Sequence, residues 1–216
     1  MTAIILPKLG NCINYHDAMR MLEGMGAQQV GSGHFSKVYR VETYVEPRTM
    51  SLRPSPLSIR DITVFDANKM RYHMDPVRIE RTVRIIKVCC KPDRAALLVA
   101  KAAMATCEID PLAPKYYGVT EFGGGFWIAE LEPLSECHEG PSEAHQRFTG
   151  ERWKYAPTAE LIATSPYLSI LQAYHLSDPG TMDSGSGYRW DLHGANVMMR
   201  GAQPVITDPM CHNADV

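Results

Sequence analysis

Apolar residues between positions 13 and 25 recur at helical spacing (Ile13, Ala18, Met21, Leu22, Met25) and stop at Gly26. This pattern predicts a short amphipathic helix. Residues 28–41 read instead as strand, glycine turn and strand, with Gly31-Ser32-Gly33 at the bend. Residues 84–89, Arg-Ile-Ile-Lys-Val-Cys, predict an apolar strand with one cation in its middle. A lysine there must reach solvent or an anion, so the position of Lys87 is informative. Residues 95–106 are alanine-rich and helical by propensity. Residues 115–119 and 125–131 predict a strand pair around a glycine-rich turn. Residues 158–175 predict a second long helix, dented at Pro166. A polar Gly/Ser loop over 177–187 leads into short terminal strands.

Residues 45–81 break this rhythm. Pro47, Pro54, Pro56 and Pro76 interrupt any long element. Between Arg48 and Arg84 there are seven Arg and one Lys against four acids. A solvated insertion is the ordinary reading of such a run. The functional reading is a contact surface for an acidic partner or a nucleic-acid backbone.

Composition narrows the classes. At 216 residues the chain makes one domain or two small lobes with a real core. Its hydrophobic content of 45% and charged content of 21% are those of an ordinary globular protein. A net charge of −2 gives no general attraction to nucleic acid or membrane. No apolar run approaches the roughly 18 residues of a membrane helix. The apolar start at residues 3–6 is too short for a signal-peptide core. The expectation is a cytosolic protein with reduced thiols. Of its six cysteines, Cys137 and Cys211 each precede a histidine, but without the paired spacing of a structural zinc site.

The chemistry concentrates at the end of the chain. Asp191 is followed by Asn196 five residues later, then by a short hairpin and the run Val205-Ile206-Thr207-Asp208. Two acids and an amide in this order suit phosphoryl transfer: one acid orients a hydroxyl, while the amide and second acid hold Mg²⁺. Upstream, Gly31-x-Gly33-x-Phe35-Ser36-x-Val38 can bring backbone amides to phosphates, and Lys87 can neutralise them. His193, two residues past the first acid, either donates to the transferred phosphate or braces the turn. Each part alone is weak. Their order is the signal.

These motifs resemble the protein-kinase-like fold from about residue 28 to 209. The resemblance implies an α+β, bilobal chain with a β-rich N-lobe and a short, minimal helical C-lobe. Residues 1–131 would be the N-lobe, carrying the glycine loop and the basic insertion at 45–81. Residues 132–216 would be a truncated C-lobe carrying the catalytic and metal-binding loops. It implies a hinge at Glu130-Leu131-Glu132 and an adenine pocket walled by Val38, Ile85, Ala129, Leu131 and Met198. ATP and Mg²⁺ would be the cofactors. Asp191, Lys87 and His193 would be catalytic, with Asn196 and Asp208 on the metal. Gly31, Gly33, Phe35, Ser36, Val38, Lys87, Glu130, Leu131 and Met198 would contact the nucleotide.

More closely, Gly-x-Gly-His34-Phe35-Ser36, Ile86-Lys87-Val88, Asp-x-His193-x-x-Asn196-x-Met198 and Ile206-Thr207-Asp208-Pro209 resemble the early serine/threonine kinases of T-seven-like bacteriophages. That resemblance implies host bacterial proteins as substrates, including transcription and RNA-processing machinery, in the host cytoplasm. It implies no membrane partner and makes nucleic acid an improbable one.

The chain also departs from the kinase pattern. Residues 94–106 contain no acid to pair with Lys87; Asp93, Glu108 and Asp110 are the nearest. Arg189-Trp190 stands where kinases have His-Arg. Only eight residues follow Asp208, so no conventional activation segment is expected and substrates must be met by other surfaces. Two other readings share these residues: a pseudokinase that sequesters a host partner, and a small-molecule kinase. Thr49, Ser51, Ser55 and Ser58 lie beside Arg48 and Arg53. Incubation with Mg-ATP is expected to phosphorylate this segment. Mass spectrometry finding all four residues unmodified would count against that.

Overall fold

A computed structural model describes residues 5–12, 14–32, 36–45, 80–89, 94–122, 125–137, 141–151, 155–179 and 187–212. Gly33, Phe35 and nearly all of the basic insertion, with its four hydroxyl residues, lie outside these. The described chain is mixed α/β with antiparallel strand pairs. By internal contacts it divides into one unit of Met1–Val41 with Val83–Val216 and a second of Glu42–Thr82. In the second unit, Arg81 donates from its guanidinium to Glu42, and the Thr43 hydroxyl donates to the Thr82 carbonyl.

The first unit opens with α1 (Leu6–Leu9) and α2 (Tyr15–Gly24). Asn14 caps α2 by accepting from the Asp17 amide at 3.0 Å. Gly26, at φ 75°, turns the chain out of the helix in the left-handed region that glycine tolerates best. Strands β1 (Gln28–Ser32), β2 (Ser36–Val45), β3 (Glu80–Cys89), β4 (Tyr116–Glu121) and β5 (Trp127–Leu131) form one sheet in the order β1-β2-β3-β5-β4. Between β3 and β4 lies α3 (Arg94–Thr106), the predicted alanine-rich helix.

Strand alternation gives the sheet two faces. Tyr39, Val41, Ile86, Val88 and Ile128 bury against Leu6, Leu9, Ala18 and Leu22 of the first two helices. Cys89, Trp127 and Ala129 bury on the opposite face with α3. Lys87, opposite Ala129 in the β3–β5 register, belongs to this second face.

The α1–α2 face is fastened by an ion. Glu130 is fully buried, and its Oε2 accepts from the amides of Ile5 at 2.7 Å and Leu6 at 3.1 Å. Its Oε1 accepts from Arg84 Nε at 3.2 Å. The Arg84 guanidinium lies 3.9 Å from the centre of the Tyr117 ring. The carboxylate thus answers the open N–H groups at the start of α1 and is paired with a cation.

The remaining elements are β6 (Ser135–Glu136), α4 (Pro141–Thr149), α5 (Ala159–Thr164), α6 (Pro166–Ser177), β7 (Tyr188–Trp190), β8 (Val197–Arg200), β9 (Gln203–Ile206) and β10 (Met210–His212). The long helix predicted over 158–175 is two helices. Proline lacks an N–H and disfavours helical backbone in the residue before it, and Ser165 is extended at φ −107°, ψ 109°. Ser165 ends α5 and caps α6, its Oγ accepting from the Leu168 amide at 3.1 Å. Helices α1 and α4 have no counterpart in the sequence reading, being too short or too polar to give an apolar period.

Replacing Glu130 with Ala would strand the α1 amides and leave Arg84 without this partner. Unfolding free energy in denaturant titration is expected to fall by about 3 kcal/mol. A change below about 0.5 kcal/mol would show that this fastening carries no stability.

Candidate functional site

Two short antiparallel ribbons build the site. In one, β7 pairs with β10, matching Trp190 with Met210. The next residues continue the ladder, the Asp191 amide donating to the Pro209 carbonyl at 2.8 Å. Asp191 and the Asp208-Pro209 segment are therefore neighbours although seventeen residues apart. In the other, β8 pairs with β9 through a turn at Gly201, φ 62°. This hairpin returns the chain from Asn196 to Thr207, whose amide donates to the Asn196 carbonyl at 2.8 Å.

Asn196 closes the arrangement. It ends a 3-10 turn, Gly194–Asn196, whose first bond runs from its own amide to the His193 carbonyl at 2.9 Å. Its side-chain Nδ2 donates to the Asp191 carbonyl at 2.9 Å and to the Asp208 carbonyl at 2.6 Å. With both amide hydrogens committed, Oδ1 is the atom left to meet a cation.

Lys87 arrives from the sheet. Its Nζ lies 3.2 Å from Asp208 Oδ2, with the lysine side chain 15% and the aspartate 38% exposed. The pair joins residues 121 positions apart. Partial exposure makes it modest in energy but specific in placement. Asp110 does not serve Lys87. It is 2% exposed and accepts from Leu112 N, Ser165 Oγ and Tyr167 N. Through Tyr167, whose hydroxyl donates to the Ile206 carbonyl at 3.2 Å, it buttresses the strand that carries Asp208. Glu108 is exposed beyond the end of α3, and Asp93 lies outside the described residues.

Burial pushes the Asp191 carboxyl above its ordinary range. His193 and Arg189 pull it back, and Asp208 pushes it further up. His193 is half-buried and close enough to be felt by Asp191. Arg189 donates from Nε to Cys211 Sγ at 2.9 Å across the β7–β10 ladder.

The residues that the kinase resemblance implies at a nucleotide lie on several elements. Tyr39 and Val41 bury on the α1–α2 face, so alternation puts Val38 on the face of Ile85, Lys87, Ala129 and Leu131. Met198 lines a cleft of about 410 Å³ with Glu136, Cys137, Gly194, Ala195 and Val197. Gly31 pairs with Val38, where an added Cβ would make an ordinary 3.5 Å contact, so packing there does not demand glycine. Ser36 begins β2. The Glu130 carboxylate faces α1, away from Lys87, while Leu131 shares the Lys87 face. Glu132 is taken by Arg200, which bridges β5 to β8.

Sequence reasoning missed the buttressing role of Asp110 with Tyr167, the Tyr155 carbonyl that receives the Leu192 amide at 2.9 Å, and Trp127 beside Lys87. Only Trp127 left a signal. It stands two residues before Ala129 and so shares the lysine's face. No family model matches this sequence, and no curated protein or solved structure matches it.

The donor set suits Mg²⁺: one amide oxygen and one carboxylate, both hard, held 12 positions apart by the hairpin. No cluster of three or more His, Cys, Asp or Glu side chains forms a metal cage among the described residues. Magnesium commonly takes only one or two carboxylates and completes its shell with water and phosphate.

The raised Asp191 gives a stability test. A folded-state value above the unfolded one means the fold holds more protons, so stability falls as pH rises through that window. Asp191→Asn is therefore expected to raise the melting temperature at pH 7. The gain should shrink below the ordinary carboxylate range, where aspartate is neutral in both states. A gain independent of pH would contradict the assignment.

Proposed function

We propose that this protein is an ATP- and Mg²⁺-dependent serine/threonine protein kinase of phage type, acting on host bacterial proteins. The observation that carries the reading is the convergence of Lys87, Asp191, Asn196 and Asp208. A 3.2 Å ion pair and one bifunctional carboxamide link residues from three stretches of chain.

Each residue has work there. Asp191 accepts a hydrogen bond from the substrate hydroxyl and turns its oxygen toward the phosphorus. Its raised proton affinity brings it nearer the pH at which a general base is most useful. Lys87 supplies positive charge on the side of the sheet. Asn196 Oδ1 and the Asp208 carboxylate would hold the metal, which would supply positive charge against the phosphates. His193 stands beside Asp191 as a donor to the transferred group. Little covalent chemistry is needed, since phosphoryl transfer rests on positioning and charge.

The chain's own fold is read, on the same residues, as a kinase-like α+β arrangement with a minimal C-lobe. No helix among the described residues is long and apolar enough to cross a membrane. The proposed place of action is the bacterial cytoplasm, on transcription or RNA-processing proteins. One observation favours a pseudokinase instead: α3 has no carboxylate for Lys87.

Labelled γ-phosphate transfer decides between them. With Mg-ATP and a bacterial lysate, wild type is expected to label discrete proteins. Asp191→Asn should slow this by about a hundredfold or more. Equal labelling by both would overturn the role of Asp191. Nucleotide binding without transfer to protein would leave the sequestering or small-molecule readings.

A further inference from the structure

Lys87 has a second neighbour on its own face of the sheet. Its Nζ lies 5.9 Å from the centre of the Trp127 ring. The β3–β5 register explains this: Lys87 is opposite Ala129 and Cys89 is opposite Trp127, so ring and cation are diagonal neighbours. The ring is 2% exposed and packs in the core beneath α3.

The indole is an unusual choice there. Its Nε1 is buried and has no hydrogen-bond partner. Burying a donor without an acceptor is unfavourable, and a buried tryptophan normally finds one. Phenylalanine would fill core without stranding a donor. What tryptophan offers beyond phenylalanine, apart from size, is the most strongly negative π face of the aromatic side chains. A cation over that ring is Lys87. The helix packed on the same face, α3, brings Arg94 and Lys101 but no acid.

We propose that Trp127 is a positioning residue for Lys87, its π face holding the ammonium in the orientation that a helical carboxylate imposes in kinases that have one. The inference rests on the phosphate-binding role given to Lys87 above. Asp208 also pairs with Lys87, but it is needed for the metal. The ring competes for neither metal nor phosphate, so it orients the lysine with or without nucleotide.

The test starts with the free protein. In ¹³C-lysine NMR, the ring current of Trp127 should displace the Lys87 ε-methylene resonance upfield, assigned by its loss in Lys87→Met. Trp127→Leu should return it to the position of an ordinary lysine, and Trp127→Phe should leave it in between. An ordinary resonance in wild type, or an unchanged one in the variants, would overturn the proposal. If the leucine variant does not fold, the phenylalanine variant carries the comparison.

The second arm is Mg-ATP affinity by titration calorimetry. Trp127→Leu should weaken it about threefold, and the loss should vanish in a Lys87→Met background. The same loss in both backgrounds would mean a general packing role and would overturn the proposal. If wild type binds no Mg-ATP, the kinase reading fails, while the resonance of Lys87 still decides the role of Trp127.

Discussion

A carboxamide has two N–H bonds, and Asn196 directs both at backbone carbonyls, one of Asp191 and one of Asp208. The arrangement of the site follows from that choice. The two acids flank the same end of the β7–β10 ribbon and would repel each other if left to their side chains alone. A neutral bridge between their carbonyls sets the spacing without adding charge, and it leaves the side-chain oxygen uncommitted to either carbonyl. The backbone repeats the tie, through Asp191 to Pro209 and Thr207 to Asn196. Behind it, buried Asp110 fixes the start of α6, and Tyr167 carries that rigidity to Ile206, two residues before the second acid. The site is thus a small polar network closed on a hydrophobic core that includes Leu192, Val197, Ile206 and Met210.

Much of this was legible in the sequence, and the reason is periodicity. The strands around Lys87 and Trp127 alternate cleanly, and α3 is too rich in alanine to be anything else. The acid–amide–hairpin–acid order could be read because its parts lie within eighteen residues of each other. The failures were of another kind. Ser165 splits a helix because of the proline after it, a local effect underweighted against the longer apolar period. Spacing also gives no sign that the Glu130 carboxylate fastens α1 from 125 residues away. Asp110 was a candidate partner for Lys87, yet it answers amides and a hydroxyl near α6. Whether a buried carboxylate faces a lysine or an amide is decided by tertiary register, which leaves no trace in spacing.

The acids that cluster in sequence between 130 and 143 separate by role in the fold. Glu130 and Glu132 are interior, each paired with an arginine, and hold α1 and the β8 hairpin to the end of β5. Glu136 and Glu143 are exposed, the first on the wall of the cleft beside the 3-10 turn. Breaking an interior pair strands a charge, whereas losing an exposed one is nearly free. The same residue type therefore builds the frame at one end of this stretch and leaves a surface open at the other.

Paramagnetic broadening would test the central claim most directly. Mn²⁺ would replace Mg²⁺ beside a non-hydrolysable ATP analogue, and backbone amide resonances would be compared with those of the metal-free protein. The account predicts selective loss of signal at Asn196, Thr207 and Asp208, with α1 and α2 unaffected. Broadening that spares these residues, or none at all, would contradict the assignment of this network as the phosphate and metal site.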